Sequence, residues 1–162
     1  MDAIELLTRD HTEAREAMRR IADASVEERM GLFVAFKIGL EMHDRMEEEA
    51  FYPAIRANPQ TQDFAPLDKE AHHAVEAALA TLAALPMDSP QWRPQFDTMR
   101  ERLLAHIDDE EHRVFVKIRE SLSKQDLNGI AQTMSLGMVM KPERPGHQSG
   151  LRPRTGSRVF KP

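Results

Sequence analysis

Four histidines and two glutamates carry the chemistry this chain could do. The stretch "HDRMEEEAFYPAIR" runs from His43 to Arg56, and sixty-three residues later "HIDDEEHRVFVKIR" runs from His106 to Arg119. Each copy sets a glutamate four places after its histidine, Glu47 and Glu110, and each carries an aromatic and an Ile-Arg pair at matched offsets. Upstream, His11 precedes His43 by 32 residues and His72 precedes His106 by 34. Two helical hairpins would each supply one histidine from the first helix and a His-x3-Glu from the second. Brought together, these side chains are nitrogen and oxygen donors in the forms a cation binds, neutral imidazole and ionised carboxylate.

Spacing alone is weak support. Acids fill 27 of 162 positions, so chance gives about one acid at i+4 among seven histidines, and a helix makes such positions neighbours anyway. Three such pairs are present, His43/Glu47, His72/Glu76 and His106/Glu110. Register says more. The apolar stripe of the fourth helix reads Phe96, Met99, Leu103, then His106 and Glu110, then Val114 and Ile118. The first reads Ile4, Leu7, His11, Ala14, Met18, Ile21, and the second Leu32, Phe36, Gly39 or Leu40, His43, Glu47, Phe51, Ala54. The third reads His72, Val75, Leu79, Leu82. All four seams are interrupted by histidine and two of them by glutamate.

Unpaired buried carboxylates work against a domain stability of only ~5–15 kcal/mol. A cluster of protonated imidazoles would repel itself, whereas a divalent cation satisfies both kinds of donor. Six N/O donors are too many for a closed tetrahedral zinc site and too rich in nitrogen for calcium or magnesium. They suit two ions bridged by the two carboxylates, with iron favoured and manganese second. Glu76 has the offset of a further ligand and equally fits a solvated edge. Asp10, Asp44, Glu48 and Glu111 read as solvated charge or as partners that orient a ligand imidazole through its second nitrogen. His73, His112 and His147 lack the seam context and read as surface. Tyr52, the single tyrosine, receives no redox role from its spacing.

The elements that must position these groups are helices, since alternating strand patterns are scarce and apolar residues recur at three and four. The expected fold is all-α, an up-down four-helix bundle over 1–122. Asp2 with Glu5 and Ser25 with Glu28 stand in capping-box spacing at the first two starts. The second helix should end near Pro53, or at the latest at Asn58-Pro59; the third should cover Pro66 to Leu85, and the fourth should run from Ser89-Pro90 to about Leu122. A short fifth helix or extension fits 123–140, weakened by Gly129 and Gly137, and the Pro/Gly/Arg-rich tail 141–162 is expected to be disordered.

The formal net charge of −5 is unevenly placed, because the tail carries six cations against Glu143 and leaves the body strongly acidic. That body argues against nucleic-acid binding by the main domain. There are no cysteines, which excludes disulfides and thiolate metal sites. No run is long and apolar enough for a membrane span, and the opening residues resemble no signal peptide, so the expected location is the cytoplasm.

The segments "DH" at 10–11, "HDRMEEEAFYP" at 43–53, "EAHHAVEAAL" at 70–79 and "HIDDEEHRVF" at 106–115 resemble the signature of the hemerythrin-like HHE cation-binding domain. The resemblance covers roughly residues 3 to 122. It implies a four-helix bundle with a non-haem di-iron centre held by His11, His43, Glu47, His72, His106 and Glu110. Oxygen-carrying hemerythrins place a histidine where this chain has Glu76, and an aspartate five residues after the helix-4 histidine where this chain has Glu110 at four. The pattern is closer to bacterial HHE proteins and to di-iron proteins of nitric-oxide stress and iron-sulfur repair, whose cysteine-bearing N-terminal segment is absent here. The function implied is to bind or sense O2, NO or peroxide, or to handle iron. A different reading of the same residues is a helical interaction module with a histidine-rich core and a basic tail for an acidic partner or a membrane.

Overall fold

The structure, a computed structural model, describes residues 1–64 and 68–140. The tail 141–162, and with it the expectation of disorder there, lies outside the described residues. Helix α1 spans Ala3–Asp23 and α2 spans Val26–Met46. From α2 the chain passes without a break through a π-helical turn, Glu47–Phe51, into α3, Tyr52–Ala57. Helix α4 covers Asp68–Ala84; α5, Trp92–Asp109, runs through a second π-turn, Glu110–Val114, into α6, Phe115–Ser121. The last helix, α7, is Lys124–Met140. Among the described residues there is no strand.

Both capping boxes form: Glu5 N–H donates to Asp2 Oδ1 at 2.9 Å and Asp2 N–H to Glu5 Oε2 at 2.8 Å, and Ser25 and Glu28 repeat the exchange at 3.3 Å each way. The second helix outlasts Pro53. A proline has no N–H to give, and the π-turn just before it widens the helix so that the chain continues to Ala57.

Pairings of α1 with α2, α2 with α4, α4 with α5 and α5 with α1 close a ring of four helices. Its interior is apolar in two layers. One holds Met18, Phe33, Leu79, Trp92, Phe96 and their neighbours; Phe96 stacks on Trp92 at 5.1 Å and Phe33 meets it edge-on at 5.6 Å. The other holds Leu7, Phe51, Ile55, Phe115 and Ile118 together with Leu127, Ala131 and Met134 of α7. Along α1, α2 and α5 the candidate histidines fall between residues of the two layers.

Helix α7 completes the second layer for a simple reason. Because α4 begins only four residues before His72, it leaves the wall beyond the site unbuilt, and α7 packs there against α1, α2 and the first π-turn. The segment expected as a short helix is therefore a helix of 17 residues that shares the bundle core. Ser123 and Asp126 cap its start in the same reciprocal way, at 3.1 and 3.2 Å. Burying Leu127 and Met134 contributes roughly 1.5–3 kcal/mol each, enough to hold a helix weakened by glycine.

Candidate metal centre

Each element brings one or two polar groups into the gap between the layers. Helix α1 gives His11, α2 gives His43, the first π-turn opens with Glu47, α4 gives His72, α5 gives His106, and the second π-turn opens with Glu110. All six are buried, the two glutamates completely. They form two overlapping groups, His11/His43/Glu47/Glu110 and Glu47/His72/His106/Glu110, in each of which one donor atom per residue lies within 4.8 Å of the others. Glu76 is exposed and belongs to neither group. His73 and His112 are exposed as expected, while His147 lies outside the described residues.

The carboxylates serve both groups in different ways. Glu47 turns Oε1 toward His43 Nε2 at 3.5 Å and Oε2 toward His72 Nε2 at 3.2 Å, one oxygen to each side. Glu110 offers a single oxygen to both, Oε2 being 3.1 Å from His11 Nε2 and 3.5 Å from His106 Nε2. Its Oε1 accepts a 2.7 Å hydrogen bond from the Tyr52 hydroxyl, which also lies 3.3 Å from Glu47 Oε2. The π-turns make this reach available. A wide turn stacks residue i+5 above residue i, so Tyr52 rises over Glu47 and Phe115 over Glu110. Tyr52 then flanks the His72 ring at 6.1 Å and Phe115 stacks on His11 at 5.6 Å.

Acids stand behind three of the rings, and one of them orients its histidine through a hydrogen bond. His11 Nδ1 is 3.0 Å from Glu111 Oε1, and Arg15 clamps that carboxylate with bonds of 2.9 and 2.8 Å. Burial would raise the Glu111 carboxyl, but the bonds from Arg15 and His11 outweigh it and hold the group below the ordinary range. On the other side His72 Nδ1 is 3.6 Å from Glu48 Oε1, and His43 Nδ1 is 3.8 Å from Asp10 Oδ2. Burial opposes charge on His43 and His72, yet the surrounding carboxylates, Glu47 foremost, raise both imidazoles to about 9. His106 is lowered by burial and by His72, whose Nε2 is 3.0 Å from its own. Asp44 is raised to about 7, first by burial.

The donor set fits a pair of cations. Among the described residues His11 Nε2, Glu47 Oε1 and Glu110 Oε2 are buried without a hydrogen-bond partner, and each belongs to the groups just described. Three such atoms facing one gap would be costly in a protein interior unless a cation engages them.

Sequence reasoning missed Tyr52 and Arg15. The sixty-three-residue repeat held a signal for the first, since Tyr52 aligns with Phe115 and is its single polar counterpart. Arg15 stands four residues after His11, where the other hairpin has Glu76 four after His72.

A bundle that gathers four buried histidines and two buried glutamates between its layers defines a cation-binding helical protein. Residues 2–118 match the model of the Hemerythrin HHE cation binding domain, and the chain belongs to that family. It is 36% identical over 115 residues to the uncharacterized protein Rv2633c of Mycobacterium tuberculosis, and to the uncharacterized protein Mb2666c of Mycobacterium bovis, covering 68% of each chain. The crystal structure of an HHE cation binding domain-containing protein from Mycobacterium kansasii, an Rv2633c homolog, superposes with a TM-score of 0.76 at 27% identity over 86% of both chains. No helix of the described residues is long and apolar enough to cross a membrane.

Proposed function

We propose that this is a non-haem di-iron protein that binds or senses O2, NO or peroxide, or takes part in iron handling or a stress response. The observation that carries the reading is the overlap of the two buried groups, each of two imidazoles and two carboxylates, with both carboxylates common to the two. Such a set matches paired ions better than one, and four imidazoles favour iron over manganese. In this reading His11 and His43 would hold one ion, His72 and His106 the other, and Glu47 and Glu110 would serve both, with Glu76 left outside. Iron bound there supplies electrons and an attachment point for a small oxidised ligand.

The rest is the protein's own contribution. Glu111 fixes the orientation of His11 through a 3.0 Å bond, which sets the ligand nitrogen toward the centre, and Glu48 places negative charge 3.6 Å behind His72. Tyr52 holds Glu110 Oε1 and so leaves Oε2 for the two histidines that face it. Apolar layers above and below exclude bulk water. Metal analysis of the purified protein, with absorbance spectra in air and after reduction, tests the proposal. About two irons per chain and ligand-to-metal bands are expected. Iron-free protein that gains no such bands on ferrous reconstitution would overturn it.

A further inference from the structure

A cavity of about 380 Å³ lies between α1 and α2 and reaches the centre, where His11, His43 and His106 line it and His72 does not. Its size falls within the ~300–1,000 Å³ range of organic-ligand sites and far exceeds what a diatomic molecule or hydrogen peroxide fills. Exposed Arg9, Glu13 and Arg20 form its rim, and its body is apolar, with Phe36, Leu40, Leu103 and Ile107 behind. Small residues on both helices, Ala14 and Ala17 opposite Ala35 and Gly39, keep the space open, and a Cβ built at Gly39 would meet nothing within 4 Å.

The polar end of the cavity is unfinished. His43 is buried and turns Nε2 to Glu47, while its Nδ1 has no hydrogen-bond partner. Asp10 Oδ2 stands 3.8 Å away from that nitrogen, beyond hydrogen-bond reach, and Asp44 lines the same end. When Nε2 of an imidazole serves as a ligand, Nδ1 carries the proton. A group placed between the two would need to accept from an N–H and donate to a carboxylate. A hydroxyl or hydroperoxyl does both. An anionic head would meet Asp44 and the free Oδ2 of Asp10, whose Oδ1 Arg9 already engages at 2.8 Å, and an ammonium head offers no acceptor to His43.

We infer that this cavity binds a neutral organic molecule with an apolar body and a hydroxyl or hydroperoxyl head, the head seated between His43 and Asp10. The inference rests on the reading of the centre as a site for small oxygen-bearing ligands. It deepens that reading by making the ligand class amphiphilic hydroperoxides and their alcohols, on the His11/His43 side.

Calorimetric titration of the full-length protein, as purified, with 2-phenyl-2-propanol tests it. Saturable binding with a dissociation constant below about 1 mM is expected, with benzoate at least about tenfold weaker. Gly39→Phe and Ala17→Phe fill the cavity from opposite walls, and each should weaken alcohol binding by about tenfold or more, while Gly129→Phe on α7 should not. Circular dichroism melts identify any variant that fails to fold, and the other wall variant then decides. Absence of saturable binding, affinity unchanged in the folded wall variants, or benzoate as tight as the alcohol would overturn the inference. Iron content is measured on the same samples, so the two readings fail separately: binding by protein that takes up no iron sinks the di-iron centre and leaves the cavity, and iron without binding does the reverse.

Discussion

The side of the centre around His11 and the side around His72 are laid out by one repeated pattern, and side by side they show where backbone ends and side chain begins. Both histidines face a glutamate that opens a π-turn, both are flanked by the aromatic five residues beyond a glutamate, and both have the next acid, Glu111 or Glu48, behind the ring. The differences are single residues. Arg15 clamps Glu111, which stands 3.0 Å from His11, whereas the equivalent place on α4 holds Glu76, which offers Glu48 no clamp, and the distance from Glu48 to His72 is 3.6 Å. Asp10 stands by His43 where Ala71 precedes His72, and Tyr52 is polar where Phe115 is not. The backbone thus builds two similar cradles, and a few polar substitutions make one tight, with a clamped acid behind its histidine, and the other looser, with a tyrosine beside its histidine.

The largest expected effect erases the comparison altogether. Glu47 gives one oxygen to each side, so Glu47→Ala should strip both cradles, and metal content should fall from about two ions per chain to less than one. Chelation of wild-type protein should have the same energetic consequence. Each ion held at a thousandfold excess over its dissociation constant contributes about 4 kcal/mol, or roughly 10 °C in melting temperature for a chain of this size, and loss of both removes about twice that. Scanning calorimetry with and without chelator checks it; coincident melts would show that the fold needs no cation.

Next comes the tyrosine. Tyr52→Phe makes the two flanking aromatics alike and leaves Glu110 Oε1 without its 2.7 Å donor. Removing a buried bond to a charged acceptor should cost about 2 kcal/mol in the chelated protein, read from urea unfolding. A change below a few tenths of that would mean the hydroxyl does not restrain Glu110.

Arg15→Ala attacks the tight side. Glu111 would lose its clamp and His11 its fixed orientation, and about tenfold weaker binding of one of two ions is expected, seen as a split in a metal titration. Glu48→Ala on the looser side should do less. Equal losses from the two would remove the distinction between the cradles.

How much of this was legible in the sequence follows from which interactions leave a periodic trace. Convergence of His11, His43, Glu47, His72, His106 and Glu110 could be read because each replaces an apolar residue in a helical seam, and so could both capping boxes, since Ser/Asp-x-x-Glu is a local pattern. The π-turns could not. They add an i+5 relation that has no hydrophobic period, and past the first of them Ala54, placed on the buried seam of the second helix by a constant helical period, is only partly buried while Ile55 is in the core. Helix α7 was obscured by Gly129 and by a burial pattern that depends on the wall α4 fails to build. The cavity was hidden because small residues carry no signal until two helices face each other.

The smallest effect is the most discriminating. Glu76→Arg would place on α4 what Arg15 places on α1, an arginine four residues after the histidine and able to reach the acid behind it. Glu76 is exposed, so the new pair with Glu48 adds under about 1 kcal/mol, or roughly 2–4 °C. Asp44 should gain as well. Burial raises its carboxyl to about 7, and Glu76 pushes in the same direction as Glu47 against the pull of His72 and His43, so reversing the charge at 76 favours the ionised form. The sign of the effect on metal binding then decides what the asymmetry is for. Tighter binding of the weaker ion, by a few fold in a competition titration, would mean the looser cradle is an unfinished copy of the other. Weaker binding would mean that Glu76 and Glu48 act together as negative charge drawing a cation inward, and the two sides would differ in kind and not merely in tightness.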